Sequence, residues 1–279
     1  MRLLFAWLVW SATPHTLIVN GIPSPNGIAR LLDLRFLLEP QVFSFARTAL
    51  AAALVLYVMR FLVWLALPIA LFVNLAANAI ENSQGAIQHT LQIVSLVLFA
   101  QTAAHFFGLW RRGQKEESRW LEDRVVWWSQ QTIVAVYLVA GVTKLVVSKG
   151  LWIFQARWIG VSVAKSAYQS YYDTLNQAYL QERLAVANFA AEHGWIVALI
   201  AAAGLLLELG SPLMLVNRAW AALLGCALLI FHLGLDYTMR LTFIYNQWLL
   251  IIFMINAPYW IMTAAQKVFG LRRADATSP

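Results

Sequence analysis

Apolar residues in this chain come in long runs separated by short polar clusters, with no alternation of the kind a strand would show. The runs at 42–59, 61–80, 89–110, 125–147, 194–216, 219–238 and 241–265 each approach the roughly 20 residues an α-helix needs to cross a bilayer's hydrocarbon. Lipid offers no water to unpaired backbone groups, so runs of this kind must close their hydrogen bonds as helices. The pattern predicts an all-α polytopic membrane protein with about seven transmembrane helices plus interfacial helices. Segment 150–193 is the exception, because Gln155, Arg157, Lys165, Asp173, Asn176, Glu182 and Arg183 interrupt it while Trp152, Phe154, Trp158 and Tyr168 recur. That mixture suits helices lying at the membrane surface, with 151–164 apolar enough to dip inward. At the N-terminus, the apolar stretch from Leu3 to Trp10 is short, and Pro14, Pro23, Pro25 and Gly27 cut the next stretch into pieces too short to span. No small-x-small cleavage site is present there, so the segment reads as mature protein. The expected organisation is an interfacial N-terminal segment 1–40, a transmembrane domain 41–266 with its interfacial insert 150–193, and a tail 267–279.

Composition agrees with the pattern: 61% of residues are hydrophobic and 12% charged, which places the chain outside soluble domains. The net charge of +7 is spread over segment ends without a basic stripe, so nucleic acid is not an expected partner and membrane lipid is. The linker at Arg60, the loop Arg111 to Arg124 and the tail with Lys267, Arg272 and Arg273 fall on one side of the predicted topology. By the positive-inside rule that side is cytoplasmic, which places the C-terminus in the cytoplasm, as expected for a bacterial plasma membrane protein. The single cysteine, Cys226, and the lack of clustered histidines leave no metal site to expect. HExxH, Walker and GxSxG motifs are absent as well.

The informative residues are the polar ones at membrane depth, where a charge is costly. Lys144 sits near the end of the fourth run, with Tyr137 two turns earlier on the same face and Gly141 between them. Such a lysine either extends its stem to the headgroups or serves a site, where a neutral amine is a competent general base. Glu208 lies mid-span and calls for neutrality or a cross-helix partner, Arg47 being one candidate. His232, Asp236 and Arg240 occur at i, i+4 and i+8, aligning an imidazole, a carboxylate and a guanidinium on one helix face. His89 opens the third run; His105 near its other end has no partner evident in the sequence.

The order of these residues resembles the HTTM family, which includes the membrane part of vitamin K-dependent gamma-carboxylases. Tyr137-Leu-Val-Ala-Gly-Val-Thr-Lys144-Leu is similar to the carboxylases' Ala-Gly-Val-Lys-Lys-Leu segment, in which the second lysine is the base acting on hydroquinone. The resemblance places that role on Lys144, with Thr143 at the first lysine. Ile-Gln-His89-Thr-Leu resembles the family's Asn-Asn-His-Ser-Tyr-Leu element, Leu206-Leu-Glu208-Leu its Leu-Leu-Asp-Leu element, and Phe231-His232 the Phe-His pair beyond it. Leu34-Arg-Phe with Phe45-Ala-Arg47 looks like the entry to the family's first span.

The resemblance covers about residues 30–265 and implies Lys144 and His89 as catalytic residues. Tyr137, Glu208, His232, Asp236 and Arg240 would bind substrate or cofactor, a reduced quinone being implied by the resemblance alone. The carboxylases' large extracytoplasmic region has no counterpart here, which puts glutamate carboxylation itself in doubt. Two functions are therefore expected in competition. One is a membrane enzyme in which Lys144 acts as base on a lipophilic or quinol-like substrate, coupled to peptide modification. The other is a non-catalytic membrane component, such as a DoxX-like subunit or a peptide-toxin maturation or immunity partner, in which the charges only pair helices.

Overall fold

A computed structural model describes residues 1–19, 21–85, 89–111, 118–239 and 241–268. It is 83% helical, with no strand among the described residues, and the protein is an all-α polytopic membrane protein. Five helices are long and apolar enough to cross a bilayer: α2 (Pro40–Val58), α3 (Val63–Glu81), α4 (His89–Arg111), α5 (Ser118–Val147) and α10 (Arg218–Met239). Counting two bent helix pairs as spans brings the total to seven. The first pair is α8 (Gln177–Glu192) with α9 (Gly194–Leu209), which meet at 91°. The second is α11 (Ile244–Leu249), prolonged by a π-helical turn Leu250–Ile255, with α12 (Ala257–Val268), bent by 40°.

Both bends have local causes. The corner between α8 and α9 falls at His193, whose non-helical backbone ends one helix and opens the next. The later bend falls at Asn256, whose backbone lies in the left-handed region at φ 51. Gln130 Nε2 donates to the Phe253 carbonyl at 2.8 Å, so the π-turn keeps a partner inside the bundle. Between α2 and α3 the chain reverses within four residues, with Arg60 and Leu62 both at positive φ.

Segment 150–193 folds as α6 (Trp152–Gln155), a short 3-10 turn, α7 (Ile159–Thr174) and α8. The last two pack as a pair through Val163, Ala167 and Ser170 on one side and Leu180, Arg183, Ala187 and Ala190 on the other. These positions recur every three or four residues, the period of a helix face.

The N-terminal segment does more than line a surface. Helix α1 (Arg2–Ser11) inserts into the core, with Phe5, Leu8 and Val9 at most 1% exposed. Ten residues rise only about 15 Å, half a bilayer. The carbonyls at and just beyond its C-terminal end lie inside the bundle, where unpaired ones would cost heavily. The fold meets them one by one. Tyr245 Oη donates to the Ser11 carbonyl at 2.8 Å. The amides of Asn74 and Asn78 donate to the Ala12 carbonyl at 3.4 and 3.2 Å. Arg47 Nη1 donates to Thr13 and Pro14 at 2.9 and 3.0 Å, while Nη2 donates to His15 Nδ1 at 2.8 Å and the guanidinium lies 3.6 Å from the Trp10 ring centroid. A cation at a helix C-terminus also suits the helix dipole. At its other end Arg2 pairs with Glu122 and donates to the Tyr57 carbonyl at 2.8 Å.

Candidate functional site

Polar residues of α5 pair with residues of α9 and α10 at positions two turns apart along α5. Lys144 Nζ donates to both oxygens of Glu208, at 2.6 Å to Oε2 and closer still to Oε1. Tyr137 Oη and His232 Nε2 lie 2.9 Å apart, and the side chain of Asn246 also reaches the Tyr137 hydroxyl. The remaining ring nitrogen of the imidazole is Nδ1. That atom is buried and has no partner, in a residue only 4% exposed.

Two glycines permit the arrangement. A Cβ on Gly141 would stand 3.2 Å from the Glu208 Cβ and 3.0 Å from Leu209, so its absence lets α9 approach α5 closely enough for the ion pair. On Gly204 a Cβ would fall 2.2 Å from the Phe231 ring. The ring occupies that notch, and His232, its neighbour in sequence, lies against Phe243 with ring centroids 4.7 Å apart. Just beyond Glu208, Ser211 Oγ donates to the Val134 carbonyl at 3.2 Å, tying the end of this span to α5.

Glu208 therefore has its cross-helix partner, which is Lys144 and not Arg47; Arg47 is engaged at the end of α1. The Lys144 side chain is 30% exposed against 7% for Glu208, and its amine stands 5.6 Å from the Trp152 ring centroid. The lysine is neither free nor sealed in: it is paired with Glu208 and keeps part of its side chain exposed. Three cavities, of about 430, 390 and 340 Å³, lie elsewhere, and none is lined by Lys144, Glu208, Tyr137 or His232.

The aligned face of α10 divides. His232 turns to α5, while Asp236 accepts from Thr242 Oγ1 at 3.1 Å in an exposed setting. Arg240 and the side chain of His89 lie outside the described residues; the backbone of His89 opens α4. The cation seen at the end of α10 is Arg183 of α8, which donates to the Tyr237 carbonyl and lies over the Tyr237 ring at 4.4 Å. Among the described residues no group of three or more His, Cys, Asp or Glu is placed to hold a metal ion.

Asn246 and Arg183 are the members that the sequence reading did not single out. Asn246-Gln247 is a buried amide pair inside an apolar run, a signal equal in kind to Glu208 though without charge. Arg183 is one of several charges in a segment read as interfacial, and nothing in its spacing distinguishes it.

No protein-family model, no curated protein and no solved structure matches the chain.

Proposed function

We propose that the group formed by Lys144, Glu208, Tyr137 and His232 is the active site of a membrane enzyme of the HTTM type, acting by proton transfer on a lipophilic, quinol-like substrate. The observation that carries the reading is a part-buried ion pair beside a Tyr-His pair of which the second imidazole nitrogen has no partner. Ionisable groups at membrane depth that are not needed to satisfy backbone mark proton or substrate paths. Within the pair, transfer of the ammonium proton to Glu208 produces a neutral amine, the form that can accept a substrate hydroxyl proton. The part-exposed Lys144 side chain leaves a lipid-borne molecule a way to that amine. His232 and Tyr137 orient the substrate or pass its proton on, and the Arg60 end of the bundle faces the cytoplasm of a bacterial cell.

A second reading, a non-catalytic component, is favoured by one feature: both carboxylate oxygens are taken by a single amine, as in a plain helix-pairing contact. Lys144→Arg separates the two. A guanidinium retains a bidentate bond to Glu208 and cannot become neutral. The enzyme reading expects purified wild-type protein to consume a naphthoquinol, and both Lys144→Arg and Lys144→Ala to lose about 100-fold or more while Lys144→Arg keeps the wild-type melting temperature. Full turnover by folded Lys144→Arg, or none by the wild type, would establish the non-catalytic role.

A further inference from the structure

At the opposite end of the bundle two cavities share a border and together form a seam. One, of about 430 Å³, is lined by Arg2, Arg60 and Glu122 at its mouth and by Tyr57 and Gln101 deeper in. Next to it runs an apolar groove of about 340 Å³ between α1 and α2, lined by Leu3, Trp7, Ala51, Val55 and Met59. Leu3 and Val58 border both. We propose that this seam is a binding site for an anionic phospholipid, its phosphate at Arg60 and Arg2 and one acyl chain in the α1–α2 groove.

Charge complementarity decides the polar end. Two guanidinium groups face a single carboxylate, so the mouth keeps a net positive charge after Arg2 has paired with Glu122. Arg60 is held back at 4.0 Å from that carboxylate with a side chain 69% exposed, at the reversal where the chain leaves the hydrocarbon. The floor is already satisfied: Tyr57 Oη donates to Gln101 Oε1 at 2.8 Å, and Gln101 Nε2 donates to Ser129 Oγ at 3.2 Å. The polar ligand therefore belongs at the mouth. Below it, the groove from Met59 to Ala51 runs along eight residues of α2, about 12 Å, close to the depth of one leaflet. A free anion would use the mouth and leave the groove empty; a neutral lipid would use the groove and gain nothing from Arg60. An anionic phospholipid uses both.

Native mass spectrometry of the intact protein, with phosphatidylglycerol and phosphatidylcholine as probes, tests the assignment. One phosphatidylglycerol should be retained preferentially. Arg60→Gln should reduce its retention about five-fold, the contribution of one basic side chain at an anionic surface. Ala51→Phe, which fills the groove, should reduce it also, whereas Arg111→Gln, a basic residue outside the seam, should not. Equal retention of the two lipids, an unchanged Arg60→Gln, or displacement of phosphatidylglycerol by millimolar inorganic phosphate would each overturn the proposal, the last by showing a site for a soluble anion.

Discussion

Two groups of polar residues lie in this bundle, and they are bonded to different things. Around the end of α1, the side chains of Arg47, Asn74, Asn78 and Tyr245 all donate to backbone carbonyls, and Arg47 and Asn74 also bond the side chains of His15 and Thr13. In the group of Lys144, Glu208, Tyr137 and His232 the bonds run from side chain to side chain. The first group answers a need created by the fold, since a helix that stops inside the bundle leaves buried carbonyls to satisfy. The second answers no backbone need. Apolar residues would fill the same space without desolvating a charge.

The comparison can be broken by substitution, and the largest effect is expected at Arg47. Arg47→Ala strips donors from two carbonyls and from His15 at once, and at about 1–3 kcal/mol for each unsatisfied group the variant should melt far below the wild type or fail to accumulate. Arg47→Lys should rescue little, because an ammonium cannot reproduce the fork. A mild thermal shift for Arg47→Ala in detergent would remove the distinction between the groups.

Next in size is the ion pair. Glu208→Leu alone leaves Lys144 without its counter-charge, and with the lysine part-exposed the expected loss is about 1–3 kcal/mol. The double variant Lys144→Met with Glu208→Leu should recover to near wild-type stability, since both charges go together. A double variant no more stable than Glu208→Leu would mean the pair holds the fold and would align this group with the first. Gly204→Val, which drives a side chain into the Phe231 ring, should cost about 1–3 kcal/mol by overpacking. If chemical denaturation shows no loss, the notch is not what positions His232. The smallest effect is expected at Asp236, where Asp236→Ala removes an exposed bond from Thr242 and should change stability by no more than about 0.5 kcal/mol. A larger loss would restore the coupled His232–Asp236 face suggested by helical spacing.

The spans were readable because their signal is local: about twenty apolar residues announce a helix wherever it packs. Lys144, Glu208, Tyr137 and His232 were readable as individuals for the same reason, each being polar in an apolar run. Their pairing was not. Lys144 and Glu208 are 64 positions apart, Tyr137 and His232 are 95 apart, and spacing along one helix cannot say which neighbour a side chain meets. Thus His232 and Asp236 share a helix face by count yet turn to different partners. Helix α1 was hardest to place, because a ten-residue helix in the core is stable only with donors from elsewhere, and those donors look unremarkable where they occur. Asn74 and Asn78 in α3 are the clearest missed sign: two amides one turn apart in an apolar helix need something to bind.

The capping of α1 also sets an order of assembly. Its terminal carbonyls draw on residues from α2, from α3 and finally on Tyr245, 234 positions downstream of the Ser11 carbonyl that it serves. Helix α1 emerges from the ribosome before every one of these partners, and the set is incomplete until α11 has been made. The first helix of the chain is thus capped in full only by the residues made last among its partners.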